Sequence, residues 1–191
     1  PRVERGAQST VSLQPIDALL LAWLALEGPT SRPRLAQLFW PEVTVPQGRN
    51  SLRQRLFRLR RQVGELVRAD EELVALSDDV AARAVQDLNA AGELLREVQV
   101  EHDTELHAWL AVQRARLRDQ VDGVLAGRCD EATRLRDWPV ALAIAQELLT
   151  RRPLSEDAHC RVIELHYLSG DRAAALMAFD RCERVLKEEI G

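Results

Sequence analysis

Residues 49–61 hold six arginines and no acidic residue, and they overlie a stripe of Leu52, Leu56, Leu59 and Val63 spaced four, three and four apart. That spacing fits one face of a helix and no strand, so the stretch has to lie on a core as an amphipathic helix with its charges turned outward. At about 100° per residue, Asn50, Gln54, Phe57 and Arg61 fall opposite the stripe, with Arg53 and Arg58 flanking them. Arg49, Arg55 and Arg60 point sideways. The helix is expected over residues 49–63, with Gly64 as its stop.

What precedes and follows this helix sets its context. Residues 2–4 and 9–13 read as two short strands around a turn at Gly6 and Ala7, and Val11 and Leu13 alternate with polar neighbours. A helix over 16–27 follows, with Leu19, Leu20, Trp23 and Leu24 on one broad face and Gly28-Pro29 at its end. Thr30 or Ser31 caps a second, short helix with Pro33 in its first turn and Leu35, Leu38 and Phe39 apolar; Trp40-Pro41 stops it. Residues 42–48 read as a loop, with Pro46 and Gly48 as breakers. After the Arg-rich helix, 66–68 and 73–76 read as a β-hairpin, 80–85 as one more strand, and Asp87 as the cap of a helix over 88–98. Strands, three helices and a hairpin make a winged helix-turn-helix, an α+β unit over residues 1–86.

From residue 87 to 191 the pattern is almost wholly helical. A long charged helix over 106–135, interrupted near Gly127, precedes helices at 138–151, 155–168 and 171–188. Asp137 to Leu142 matches Asp171 to Leu176 at a spacing of 34, the tetratricopeptide period, with Ala141 and Ala175 at the key small positions, Pro153 closing the first repeat and Phe179 where an aromatic is common. The fold class is therefore mainly α: a winged helix-turn-helix followed by an all-α tetratricopeptide-like domain.

Other chemistry is thin. Cys129, Cys160 and Cys182 form no CxxC pair, which suits small buried hydrophobes in a reducing cytosol. There is no P-loop, GxGxxG or HExxH. His102 and His107 flank Asp103 and Glu105, but no further metal ligand is expected near them; His159 and His166, seven apart, share a helix face and read as packing residues. The reading is a non-enzyme with no cofactor and no metal, cytoplasmic, with no membrane partner: the longest apolar run, 18–26, is too short to span a bilayer. The chain starts at Pro1 and is expected to be a piece of a longer protein.

The outward face of the Arg-rich helix carries the functional expectation. Residues 1–90 have a formal charge of +1 and residues 91–191 of −5, so the six arginines are a local basic stripe on a near-neutral domain. Arg can donate two hydrogen bonds to guanine O6 and N7, and Asn or Gln can pair with adenine N6 and N7. Sideways arginines can meet phosphates. The candidate DNA contacts are Arg49, Asn50, Arg53, Gln54, Phe57, Arg58, Arg60 and Arg61, with Arg68 on the hairpin and Phe57 suited to a thymine methyl group. The stretch holds no acid at i±4 to pair with its arginines, so an anionic partner is the simplest relief for six like charges.

Two sets of residues, one in each part of the chain, carry a family resemblance. Leu35-Ala-Gln-Leu-Phe-Trp40-Pro41, Arg49-Asn50-Ser-Leu52-Arg53 and Leu56-Phe-Arg58-Leu59-Arg60-Arg61 stand in the first part. Trp109, Arg114 to Leu117, Arg152-Pro153-Leu154, Ala173-Ala-Ala-Leu176 and the closing Leu186-Lys-Glu-Glu-Ile-Gly191 stand in the second. In this order the chain resembles the bacterial transcriptional activator domain family, as found in Streptomyces antibiotic regulatory proteins. The resemblance implies an OmpR-type winged helix that binds direct repeats of double-stranded DNA, contact with RNA polymerase, and a helical module for self-association as a homodimer or for coupling to other domains. The chain departs from the family in its acidic turn, Asp70-Glu71-Glu72, in Leu73 to Leu76 where Gly-Tyr is usual, and in Phe57 where small residues are frequent. The competing reading is a scaffold whose winged helix and repeat groove bind proteins rather than DNA.

Overall fold

In the computed structural model, residues 2–5, 9–64, 66–77, 80–81, 94–95, 98–101 and 104–190 are described. They divide into two compact units, Pro1–Arg118 and Asp119–Gly191.

In the first unit, β1 (Arg2–Arg5) and β2 (Ser9–Ser12) pair antiparallel with Val3 opposite Val11. The turn expected at Gly6 and Ala7 lies outside the described residues. Helix α1 (Pro15–Leu26) is so apolar that it is buried on most of its circumference, through Ala18, Leu19, Leu20, Ala22, Trp23 and Leu24. The chain then reverses at Gly28 and enters a two-residue strand, β3 (Thr30–Ser31), that the sequence did not announce. Thr30 accepts the Trp23 indole N–H at 3.0 Å, which pins the end of α1 to the new strand.

Ser31 serves twice. It belongs to β3, and its hydroxyl caps α2 (Arg32–Phe39) by accepting from the Arg34 N–H. Leu35, Ala36, Leu38 and Phe39 are buried.

Helix α3 covers Val45–Val63, so most of the expected 42–48 loop is helix. The reason is local. Pro46 stands in the first turn, where its missing N–H leaves no intrahelical bond unmade. Thr44 and Gln47 form a capping box. Gly48 lies against α2, where a Cβ would sit 3.4 Å from the Cβ of Ala36.

After Gly64, strands β4 (Val67–Ala69) and β5 (Leu73–Leu76) form the expected hairpin, and the sheet order is β3-β5-β4, all antiparallel. The strand expected at 80–85 is absent where it can be seen: Val80 and Ala81 are helical, both bonded to the Ser77 carbonyl, and 82–85 lie outside the described residues. Asp87 and most of the helix expected at 88–98 also lie outside them. Leu94, Leu95 and Val98 are not helical, and their carbonyls accept from the guanidinium of Arg114 at 2.5–2.9 Å.

Leu24, Leu35, Leu52, Leu59, Val74, Leu94, Val98 and Leu110 form the centre of this unit's core. Trp109 stacks obliquely on Trp23 at 4.9 Å and donates to Glu27. The buried members of the α3 stripe, Leu52, Leu56 and Leu59, are 1%, 4% and 0% exposed, so the helix is seated as its periodicity requires.

The long helix α4 (Glu105–Arg134) runs without a break; Gly127 lies on its exposed side. Its part from residue 119 onward packs with α5 (Trp138–Arg151), α6 (Glu156–Leu168) and α7 (Arg172–Ile190) in the second unit. Cys129, Ala141 and Ala145 are fully buried there, and Asp122 receives the Nε of both Arg151 and Arg152 at 2.6 and 2.5 Å.

The 34-residue spacing is visible in backbone detail. Arg136 and Gly170 both take a left-handed φ, +57° and +90°. Asp137 and Asp171 each send their N–H five residues back, to the carbonyls of Ala132 and His166. Each then caps the next helix, accepting from Val140 and Ala174.

This equivalence makes a prediction. Gly170 has open space around a notional Cβ, so its value is conformational. Gly170→Ala is expected to destabilise the second unit by about 1 kcal/mol, whereas Arg136→Gly gains up to about 1 kcal/mol by relieving a side chain in left-handed backbone. Urea denaturation followed by circular dichroism measures both; equal signs for the two variants would refute the equivalence.

Candidate nucleic-acid interface

The seating of α3 decides what its other face can do. With Leu52, Leu56 and Leu59 buried, Arg49, Asn50, Arg53, Gln54, Phe57, Arg58, Arg60 and Arg61 are all exposed, and so is Arg68 on β4. All nine candidate residues are therefore at the surface, eight along one helix.

They are not equivalent. Arg60 donates to the carbonyls of Val67 and Ala69 at 3.4 and 3.2 Å, tying α3 to β4. Arg61 lies over the ring of Phe57, 6.0 Å from its centroid, so this exposed aromatic has a cation on its face. Arg58 reaches back to the Gln54 carbonyl. Among the described residues, no carboxylate lies within ion-pair distance of Arg49, Arg53, Arg58, Arg60 or Arg61.

Arg55 corrects the sequence expectation. It is not a sideways phosphate group: its guanidinium turns inward to Gln14 and to the buried carboxylate of Asp17, at 3.4–3.5 Å from the latter. The six arginines are thus five outward charges and one structural one. Burial pushes the Asp17 carboxyl above its ordinary range, opposed by the nearby charges of Arg55 and Arg58.

Two open hollows flank α3. One, of about 670 Å³, is lined by Arg32, Asn50, Arg53, Gln54, Phe57 and Arg60 among others. The other, of about 660 Å³, is lined by Arg32, Arg49, Asn50 and Arg53, with Glu71 and Glu72 on its far side. Asn50 and Arg53 border both.

Arg32, which sequence reasoning did not select, also borders both. Its Nε donates to the Asp70 carbonyl at 2.7 Å and its backbone N–H to Glu72, so the start of α2 is bonded to the hairpin turn. No sequence signal marks it, because the hairpin that places it lies 38 residues on. The acidic turn has a structural use as well: the Asp70 carboxylate accepts the N–H groups of Leu73 and Glu72 at 2.6 and 2.8 Å, which hold it below the usual carboxylate range.

In chemical terms the face offers fork-shaped donors and amide groups on a rigid helix. Among the described residues no group of His, Cys, Asp and Glu could hold a metal ion, and no helix is long and apolar enough to cross a membrane. His102 and Asp103 lie outside the described residues. His159 is buried, its Nε2 2.9 Å from the Pro153 carbonyl, in a packing position.

Several residues of the resemblance now have physical roles: Trp109 packs on Trp23, Arg114 ties down three carbonyls, and Arg152 binds both Asp119 and Asp122. Among curated proteins, none matches the chain. The sequence model of the bacterial transcriptional activator domain family matches residues 56–191, from the middle of α3 through the whole helical second unit. The chain belongs to the bacterial transcriptional activator domain family.

Proposed function

We propose that the chain is a cytoplasmic, sequence-specific DNA-binding transcription activator, with residues 1–86 acting as an OmpR-type winged helix and 87–191 as a tetratricopeptide-like interaction module. Helix α3 enters the major groove. Asn50, Arg53, Gln54, Phe57, Arg58 and Arg61 face base edges, while Arg49, Arg60 and Arg68 meet phosphates. The sites read are direct repeats, the second module couples copies of the chain or other domains, and RNA polymerase is the downstream partner.

The observation that carries this reading is the outward face of α3. Five exposed arginines and two exposed amides stand on a helix seated by a fully buried leucine stripe, and no described acid pairs with those arginines. A solvated structural helix has no need of such unrelieved repulsion.

A second reading rests on Glu71 and Glu72, which line one hollow beside α3 and would be repelled by a phosphate backbone. It makes the first unit a protein-binding fold. Selection of bound duplexes from a random DNA pool separates the two. The first reading expects an enriched motif that Arg53→Ala loses or alters; the second expects no enrichment, only weak binding that collapses with salt.

A further inference from the structure

One aromatic ring stands on the outward face of α3. Phe57 is 63% exposed and lies in a line with Asn50, Gln54 and Arg61, spaced four, three and four apart, opposite the buried leucines. The other three members of the line are polar. A ring placed there stays largely in water, and Phe forms helix less readily than the Leu, Gln and Arg residues around it.

What the ring touches is Arg61. The guanidinium carbon lies over its face, 6.0 Å from the centroid. Arg58 and Arg60 use N–H groups on backbone carbonyls, whereas Arg61 has no hydrogen-bond or ion-pair partner among the described residues. Attraction between cation and ring narrows the positions that the long side chain samples. Less freedom is then lost when its fork of donors meets an acceptor.

The pair thus sets two chemistries side by side, an apolar surface and a forked donor. In the major groove they have a joint complement. Among the four bases only thymine carries an apolar group on that edge, its C5-methyl, and the commonest target of an arginine fork is guanine, through O6 and N7. Methylated cytosine carries the same methyl group at the same place. Stacked base pairs are about 3.4 Å apart, so neighbouring pairs fall within the span of the ring and the guanidinium.

We infer that Phe57 and Arg61 form one reading unit for a 5-methylpyrimidine next to a guanine. The ring covers the methyl group and holds the guanidinium, which donates to guanine O6 and N7. The unit reads the methyl group rather than the base that carries it, so duplex affinity responds to C5 methylation of cytosine as it does to thymine. The inference rests on α3 lying in the major groove and deepens that reading by naming the step recognised.

Fluorescence anisotropy of the whole 191-residue chain tests it on the duplex selected from the random pool, with single bases replaced. Uracil in place of thymine removes the methyl group and nothing else. At one thymine beside a guanine, on either strand, uracil is expected to weaken the parent about fourfold, the effect of uncovering one methyl-sized apolar surface. With a cytosine–guanine pair at that position, 5-methylcytosine should bind about fourfold better than cytosine. At the neighbouring guanine, 7-deazaguanine removes N7 alone and should weaken binding about tenfold. Phe57→Ala should make thymine and uracil equivalent, and likewise 5-methylcytosine and cytosine. Phe57→Leu keeps an apolar contact and should retain the methyl preference, with a reduced 7-deazaguanine effect. Arg61→Ala should abolish that effect. Both positions are exposed, and circular dichroism checks that the helices are retained.

A ring that only stiffens the helix leaves every base replacement with the same effect in Phe57→Ala as in the parent, and that result would overturn the inference. So would a selected motif in which no thymine adjoins a guanine, or in which every uracil replacement is silent. A motif that depends on Arg53 but ignores uracil sinks this inference alone. A pool that yields no motif, or a motif that Arg53→Ala leaves unchanged, removes the groove reading and the inference with it.

Discussion

Replacing Arg55 by methionine is expected to destabilise the first unit by about 3 kcal/mol at neutral pH, whereas Arg53→Met, two residues away on the same helix, stays within about 0.5 kcal/mol of the parent. The contrast follows from where the two side chains go. Asp17 is 4% exposed, and Arg55, itself held by the Gln14 side-chain carbonyl, is its ion-pair partner; removing Arg55 strands a buried charge. The Arg53 side chain is exposed and has no bonding partner among the described residues. The loss stays at the low end for a broken buried pair because the contact is long, 3.4 Å, and the charge of Arg58 remains.

The pH dependence has a definite sign. Burial already raises the Asp17 carboxyl, and loss of Arg55 raises it further. A carboxyl whose folded value exceeds its unfolded one binds protons more tightly in the folded state, so lowering the pH restores stability. The gap between Arg55→Met and the parent should narrow as pH falls from neutral towards the ordinary carboxylate range. Adding Asp17→Asn should recover most of it at any pH. Urea titrations followed by tryptophan fluorescence measure all of this, since Trp23, Trp40 and Trp109 belong to the first unit. Equal stabilities for Arg55→Met and Arg53→Met would show that the Asp17 contact stabilises nothing.

Arg55 also marks the boundary of what the sequence discloses. The leucine stripe of α3 is local, repeats every turn and is legible, as are Ser31 at the start of α2, the β4–β5 hairpin and the paired Asp137 and Asp171. The partner of Arg55 stands 38 residues away, and no rule about i±4 neighbours reaches it. Arg32 is hidden for the same reason: its place beside α3 depends on the hairpin folding back onto α2. The start of α3 is written locally as well, but in signals that oppose each other. Pro46 and Gly48 break helices in mid-course, yet at a helix start the spacing of Thr44 and Gln47 outweighs them. Strand β3 has two residues and no alternation to detect; its partner β5 makes it a strand.

Removal of the Arg53 guanidinium is expected to weaken duplex binding and leave the fold intact. If Arg53 forms a bidentate pair with a base, Arg53→Ala weakens the selected duplex by about 10- to 100-fold, and much less on duplexes altered at the base it reads. Asn50→Ala and Gln54→Ala, one turn apart on the same face, follow the pattern with smaller losses. Arg49→Ala and Arg68→Ala should weaken every duplex alike and reduce the slope of log affinity against log salt by about 1 each. Arg60 is a poor choice for this comparison, because its bonds to Val67 and Ala69 make any variant a change in the hairpin as well. Fluorescence anisotropy at several salt concentrations separates the classes. If Arg53→Ala lost the same factor on every duplex, its contact would be to phosphate and the reading face would have to be turned towards Arg58 and Arg61. If it lost nothing while the fold held, α3 would not be the helix in the groove, and its five outward arginines would need another anionic partner.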